Sequence, residues 1–287
     1  MKKYLKAKFL NQFLFIVIVL LPVLAGLIFA ILYSLGLIGF LNSGFNWLAW
    51  NSVLTDFYFW KSIAFSLYVG LVSVSISAII SFLLAFYWHD DLKNGLLSII
   101  IYLPLCFPAT VMAFFIFQML SQSGFISRIF FKIHLTDSIS NFPELINDLF
   151  GIGIIFTMIA LITPFFIILF STIYQEENIN QLSQLSTTLG ADKKFIFMNV
   201  IVPVIIKKSS VSLILFVIFV MGNYEVPLIL GRQNPQMISV AIVQKIQRFN
   251  LYDIPKGYTM SLIYVFFLLI ILGYVVLKHP NFFKNKS

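Results

Sequence analysis

Of the 287 residues, 60% are hydrophobic and only 10% charged, and 33 are phenylalanine. A water-soluble domain usually carries about 25% charged residues, so this chain lacks the polar surface such a fold needs. The net charge of +8 gathers beside apolar segments, which is a pattern of membrane orientation and not the basic, aromatic-interleaved face of a nucleic-acid binder.

Cys106 stands alone, so the sequence carries no disulfide framework and no thiol metal site. It lies in an apolar segment and reads as a small hydrophobe. His89, His134 and His279 are far apart and have no ligand spacing. The expected fold is therefore an all-α polytopic membrane protein forming one transmembrane domain.

A helix crosses the hydrocarbon with about 20 apolar residues at about 1.5 Å per residue. The first predicted span is 13–37, in a stretch without charge between Lys8 and Asp56. It is too long for the apolar part of a signal peptide and closes on no cleavage pattern, so it is expected to stay as an anchor. The second is 62–88, where Ser73, Ser75 and Ser77 supply small residues for close helix packing. The third is 95–120, in which Pro104 and Pro108 predict a kink or an irregular start. The fourth is 149–173, with Pro164 inside it, and the fifth is 204–226, with Lys207 and Lys208 near its start reaching back to headgroups. The sixth is 258–277.

With the N-terminus inside, twelve Lys fall on the cytoplasmic side: Lys2, Lys3, Lys6, Lys8, Lys93, Lys193, Lys194, Lys207, Lys208, Lys278, Lys284 and Lys286. Seven Lys and Arg fall on the other side. Six spans then return the C-terminus to the cytoplasm. On the outer side, 239–249 reads as a short amphipathic helix bracketed by Pro235 and Pro255, and Trp47, Trp50, Tyr58 and Trp60 read as interface anchors.

The segment 177–199, between the fourth and fifth spans, is patterned beyond the needs of a connector. Leu182, Leu185 and Leu189 recur at helical spacing. Gly190 offers left-handed geometry to end that helix, and Asp192 can cap a second short helix holding Lys193, Lys194 and Phe197. Pro203 marks a bend before the fifth span. Two readings fit the leucine stripe: it docks on a soluble partner, or on the chain's own spans.

This loop, "QLSTTLGADKKFIFMNVIVP", resembles the EAA-loop signature of permease subunits from binding-protein-dependent ABC importers. Gly190 matches the motif glycine, Ala191 the small residue after it, Phe197 and Val200 the apolar positions, and Pro203 the closing proline. Gln184, Leu185 and Ser186 depart from it, standing where Glu-Ala-Ala is usual. The segments "LPLCFPATVMAFF", "GIGIIFTMIALITPFF" and "MGNYEVPLILGRQNP" resemble the subgroup that includes spermidine/putrescine permeases. The resemblance implies a bacterial cytoplasmic-membrane subunit with both termini inside. It also implies a second, non-identical permease subunit, an external substrate-binding protein and a dimer of ATPase subunits holding ATP and magnesium. The coupling helix implied on this chain is about 182–194.

No G-x-x-x-x-G-K-[ST] occurs, so this chain carries no P-loop. Acid, base and nucleophile candidates do not cluster, so no catalytic residues and no cofactor are expected here. Glu225 is the carboxylate at the outer edge of a long apolar run, with Tyr224 beside it and Pro227 breaking the helix. It reads either as a contact for a cationic solute such as a polyamine, or as a structural partner of Arg232 or of another subunit. The competing function is a secondary transporter or channel that needs no ATPase, which would place ionisable groups near the midplane.

Overall fold

The structure is a computed structural model that describes residues 13–40, 42, 44–87 and 96–278. Every regular element among them is helical, as hydrocarbon demands of a chain whose peptide groups find no water to bond. The elements are α1 (Phe13–Ser34), α2 (Leu48–Leu54), α3 (Phe57–Tyr87), α4 (Leu96–Tyr102), α5 (Ala109–Leu120) and α6 (Phe125–Lys132). They continue with α7 (Ile152–Glu176), α8 (Ile179–Thr188), α9 (Lys193–Gly222), α10 (Glu225–Leu230), α11 (Ile238–Gln247) and α12 (Asp253–Lys278). Among the described residues, six stretches are long and apolar enough to span a membrane: α1, α3, α5 with α6, α7, α9 and α12. The six-span all-α fold expected from hydropathy is therefore present. Trp88, Gly95, His89, His279, Lys93 and the terminal lysines at 2, 3, 6, 8, 284 and 286 lie outside the described residues.

The chain clusters into two compact units, 1–60 with 241–287, and 61–240. In the first, α12 packs on α1 and on the short α2. Tyr258 at the start of α12 meets Tyr33 and Phe29 at the end of α1, with ring centroids 4.8 and 5.8 Å away. The Trp50 indole donates to Ser34 Oγ at 3.2 Å, tying α2 to α1.

The second unit is organised around α7. Half of its spanning window is buried, so α7 is the central helix of this unit. Met158, Ile162 and Phe166 on α7 are fully enclosed. Phe166 stacks on Phe170 at 5.8 Å and meets Phe216 of α9 edge-on at 4.8 Å. Opposing helices come close where α3 presents Ser66, Ser73, Ser77 and Ser81 on one buried stripe. Ser66 Oγ accepts from the Ile238 N–H at 2.8 Å, and Ser81 Oγ donates to the Thr163 carbonyl at 2.9 Å. Gly70 lies on the same stripe, where a Cβ would sit 3.2 Å from Val217. Ser73 and Ser77 pack inward as expected, but Ser75 is exposed, because it falls off this face.

The helix ends differ from the hydropathy reading, most of all at the third and fifth stretches. The third span is not 95–120 but Ala109–Lys132, interrupted at 121–124. Pro108 holds itself and Phe107 extended, so α4 cannot run on and the helix restarts at Ala109. The helix that holds the predicted fifth span, 204–226, begins earlier, at Lys193, and ends at Gly222. Pro203 does not interrupt the helix. A π-type turn at Phe197–Ile201 precedes it and gives the proline ring room in a continuous helix. Pro255 likewise does not stop a helix, since it falls in the first turn of α12 where a missing N–H is harmless. The expected amphipathic helix is present as α11.

Burial of Phe166 gives a direct test of this core. In lipid the unfolded helix still rests in an apolar medium, so the transfer part of the penalty shrinks and the cavity part remains. Phe166→Ala leaves a void of roughly 80 Å³, and at ~24 cal/mol per Å³ this lowers the unfolding free energy by about 2 kcal/mol. Reversible unfolding in mixed micelles measures it.

Candidate functional site

Two polar interruptions of the second unit carry the residues singled out by the sequence. The first lies between α7 and α9. Helix α7 ends at Glu176, and Asn178 takes a left-handed conformation (φ 50°) that turns the chain into α8. Ile179 is fully buried and anchors the start of α8. Tyr174 Oη and Asn180 Oδ1 are 2.6 Å apart across the turn. Glu177 pairs with Lys208 of α9 at 2.5 Å, so the two spans that flank the loop are joined at its base.

From that anchor α8 carries its leucines outward. Leu182 is 38% exposed, Leu185 61% and Leu189 87%, so the stripe does not dock on the chain's own spans. Gln184 is exposed and Ser186 half-buried. The hydroxyls of Ser186, Thr187 and Thr188 donate to the carbonyls of Leu182, Ser183 and Leu185. These hydroxyls satisfy themselves within the helix, leaving the leucines as its outward chemistry.

Gly190 ends α8 with φ +87°, and a Cβ there would meet nothing within 4 Å. The glycine is needed for its backbone angle, not for space. Its N–H donates to the Thr187 carbonyl and that of Ala191 to the Ser186 carbonyl, at 2.9 and 3.0 Å. Asp192 then caps α9 as expected, its Oδ1 accepting from the Phe195 N–H at 3.0 Å. Lys193 and Lys194 are exposed in the first turn of α9, Pro203 is exposed further along it, and Ala191 is half-buried. The second short helix is thus not free-standing. It is the opening of α9, fixed by buried Ile196 and by Phe197, whose ring lies 5.5 Å from Phe82 and 5.2 Å from Phe86 of α3.

The second interruption follows α9. Gly222 closes the helix, Asn223 is extended, and α10 begins at Glu225. Asn223 Oδ1 accepts from the Val226 N–H at 3.0 Å, and its carbonyl accepts from Ser239 Oγ at 2.6 Å. Pro227, Val226 and Leu230 are buried, and α10 packs on α5 and α7. Tyr224 is half-exposed and Glu225 exposed. Glu225 Oε2 accepts from Thr110 Oγ1 at 2.5 Å, and no ion pair joins Glu225 to Arg232 among the described residues. Thr110 sits in the first turn of α5, directly after the Pro108 break, so two helix interruptions meet at this carboxylate.

Apolar cavities of about 560 Å³ and 510 Å³ lie within the same unit. The larger borders Phe82, Phe170, Phe197 and Val217, and the smaller borders Phe107, Ala109, Phe165 and Phe219. No charged side chain lines either one. Among the described residues no group of His, Cys, Asp and Glu is arranged to hold a metal ion.

Sequence reasoning missed Thr110, Ile179 and the Tyr174–Asn180 contact. Only Thr110 had a legible signal, a hydroxyl two residues after a helix-breaking proline. Neither the protein-family models nor the curated proteins give a match to this chain.

The Asp192 cap is open to a local test. Asp192→Ala leaves the Phe195 N–H unpaired and weakens the first turn of α9 by about 1 kcal/mol. Hydrogen exchange should speed up roughly fivefold at 193–196, while the buried centre of α7 keeps its protection.

Proposed function

We propose that this chain is the membrane-spanning permease subunit of an ATP-driven ABC importer, with α8 and the Gly190 corner as the surface that docks on a separate ATPase subunit. The observation that carries this reading is the outward leucine stripe. Leu185 and Leu189 are displayed on a short, anchored helix between the fourth and fifth spans, with the chain's own helices leaving them uncovered. Two exposed apolar side chains at the tip of a rigid turn are costly in water and favourable in a groove. The match of Gly190, Ala191, Phe197, Val200 and Pro203 to the EAA-loop pattern supports the same reading.

In this account the ATPase dimer holds ATP and magnesium, and a second, non-identical six-span subunit completes the pathway. An external binding protein delivers the solute. The chain lies in a bacterial cytoplasmic membrane with both termini inside and carries no catalytic group of its own. Tyr224, Glu225 and Pro227 border the pathway, and the solute is a small cation of the polyamine type, attracted by a carboxylate whose neighbour Thr110 brings no positive charge.

Gly190→Val tests the docking surface. A branched side chain disfavours φ +87°, so the corner refolds while the spans do not. Association with the co-purifying ATPase should fall by at least about tenfold, as for a centrally placed contact, with membrane insertion unchanged. Leu189→Asp should act in the same direction through the stripe itself. A purified chain that transports with no nucleotide-hydrolysing companion would sink this reading. For the solute, Glu225→Gln should abolish uptake of a cationic substrate while ATPase association stays intact.

A further inference from the structure

We propose that the corner between α11 and α12 is a binding site for the phosphate headgroup of an anionic phospholipid. The reading is independent of the transport function and rests on the first unit alone. Asp253, at the first position of α12, is 7% exposed, and three cations converge on it. Lys256 Nζ lies 3.0 Å from Oδ1, Arg248 Nη1 3.6 Å from Oδ2, and Lys245 Nζ 4.0 Å from Oδ1. Three positive charges around one carboxylate leave two in excess. The buried acid is satisfied, while Arg248 remains 55% exposed with donors to spare.

The corner is built rather than accidental. Gly257 lets the last turn of α11 lie directly against α12, since a Cβ there would sit 2.6 Å from Ile246 Cγ1 and 3.2 Å from the Ile246 nitrogen. That approach brings Lys245 of α11 and Arg248, the residue just after that helix, to an aspartate on α12.

Membrane depth identifies the occupant. Helix α12 has 26 residues and is about 39 Å long, against about 30 Å of hydrocarbon. Its charge-free part is the 20-residue stretch 258–277, which places Asp253 and Lys256 at headgroup level. Between the cations the chain projects Phe249, fully exposed, and Tyr252, 69% exposed. Apolar side chains flanked by basic ones suit the boundary between headgroups and acyl chains, where the rings insert and the cations meet phosphate. The same unit carries exposed Trp47, beside the α2 that packs on α12.

The experiment uses the full chain in nanodiscs and counts retained lipid by native mass spectrometry, with phosphatidylglycerol and phosphatidylcholine as probes. The wild type should retain phosphatidylglycerol preferentially. Arg248→Gln, a substitution at a surface position, should lower that preference about fivefold, and adding Lys245→Gln should lower it about fivefold again. Asp253→Asn separates a built site from a diffuse charge. It raises the net charge but releases the three cations, so an organised site loses affinity for phosphatidylglycerol and a mere patch gains it. Equal retention of the two lipids, an unchanged preference in the double variant, or tighter binding by Asp253→Asn would each overturn the proposal. A Phe249→Cys label reached by an aqueous quencher and spared by a lipid-phase one would do the same, pointing to a soluble protein as the occupant.

Discussion

Hydrocarbon offers a free peptide group nothing to bond with, and an unsatisfied N–H or C=O there costs several kcal/mol. A departure from helix inside the hydrocarbon must therefore be closed where it occurs, and the same economy holds at the helix ends. At the Pro108 break the Phe107 N–H returns to the Pro104 carbonyl, and at 121–124 the Gly124 N–H returns to Ser121. Side chains close two more, Asp192 at the start of α9 and Asn223 at its end. The positions where the helices stop are also where polar chemistry gathers, because each such closure needs an oxygen.

Between these closures the core is held by shape. Lipid is as apolar as leucine, so helices gain little from hiding apolar side chains and must gain from contact. The serine stripe of α3 with Gly70 lets backbones approach, and Phe166, Phe170 and Phe216 fill the space that larger separations leave. This division of labour explains a chain with 33 phenylalanines and so few charges. Rings supply contact area at low rotamer cost, and charge within the long helices is sparse, as at Lys207 and Lys208 of α9, which are exposed, Lys208 pairing with Glu177.

Much of this was legible beforehand, for identifiable reasons. Six spans follow from hydropathy alone, since length and apolarity are local properties. Gly190 and Asp192 were legible because a left-handed turn and an N-cap each have a narrow residue preference. The path of the third span was not, because Pro104 and Pro108 allow either a kink or a restart and the choice depends on what packs against Ala109. Pro203 misled in the same way, since a widened turn upstream is set by Phe197 lodging against Phe82 and Phe86. The partner of Glu225 was hidden for a different reason. Thr110 is 115 residues away in sequence, and only the meeting of α5 and α10 brings it there.

The continuity of α9 has a mechanical consequence. Its 30 residues make a continuous helix about 45 Å long, running from the Asp192 cap to the Asn223 break. A small rotation imposed at the lysine end is carried to the far end as displacement, in proportion to length. The one departure from α-geometry along it is the widened turn at Phe197–Ile201, close to the lysine end. On the proposed reading of the Gly190 corner as a docking surface, a lever pivoting so near that corner would trade a small movement there for a larger one beside Glu225.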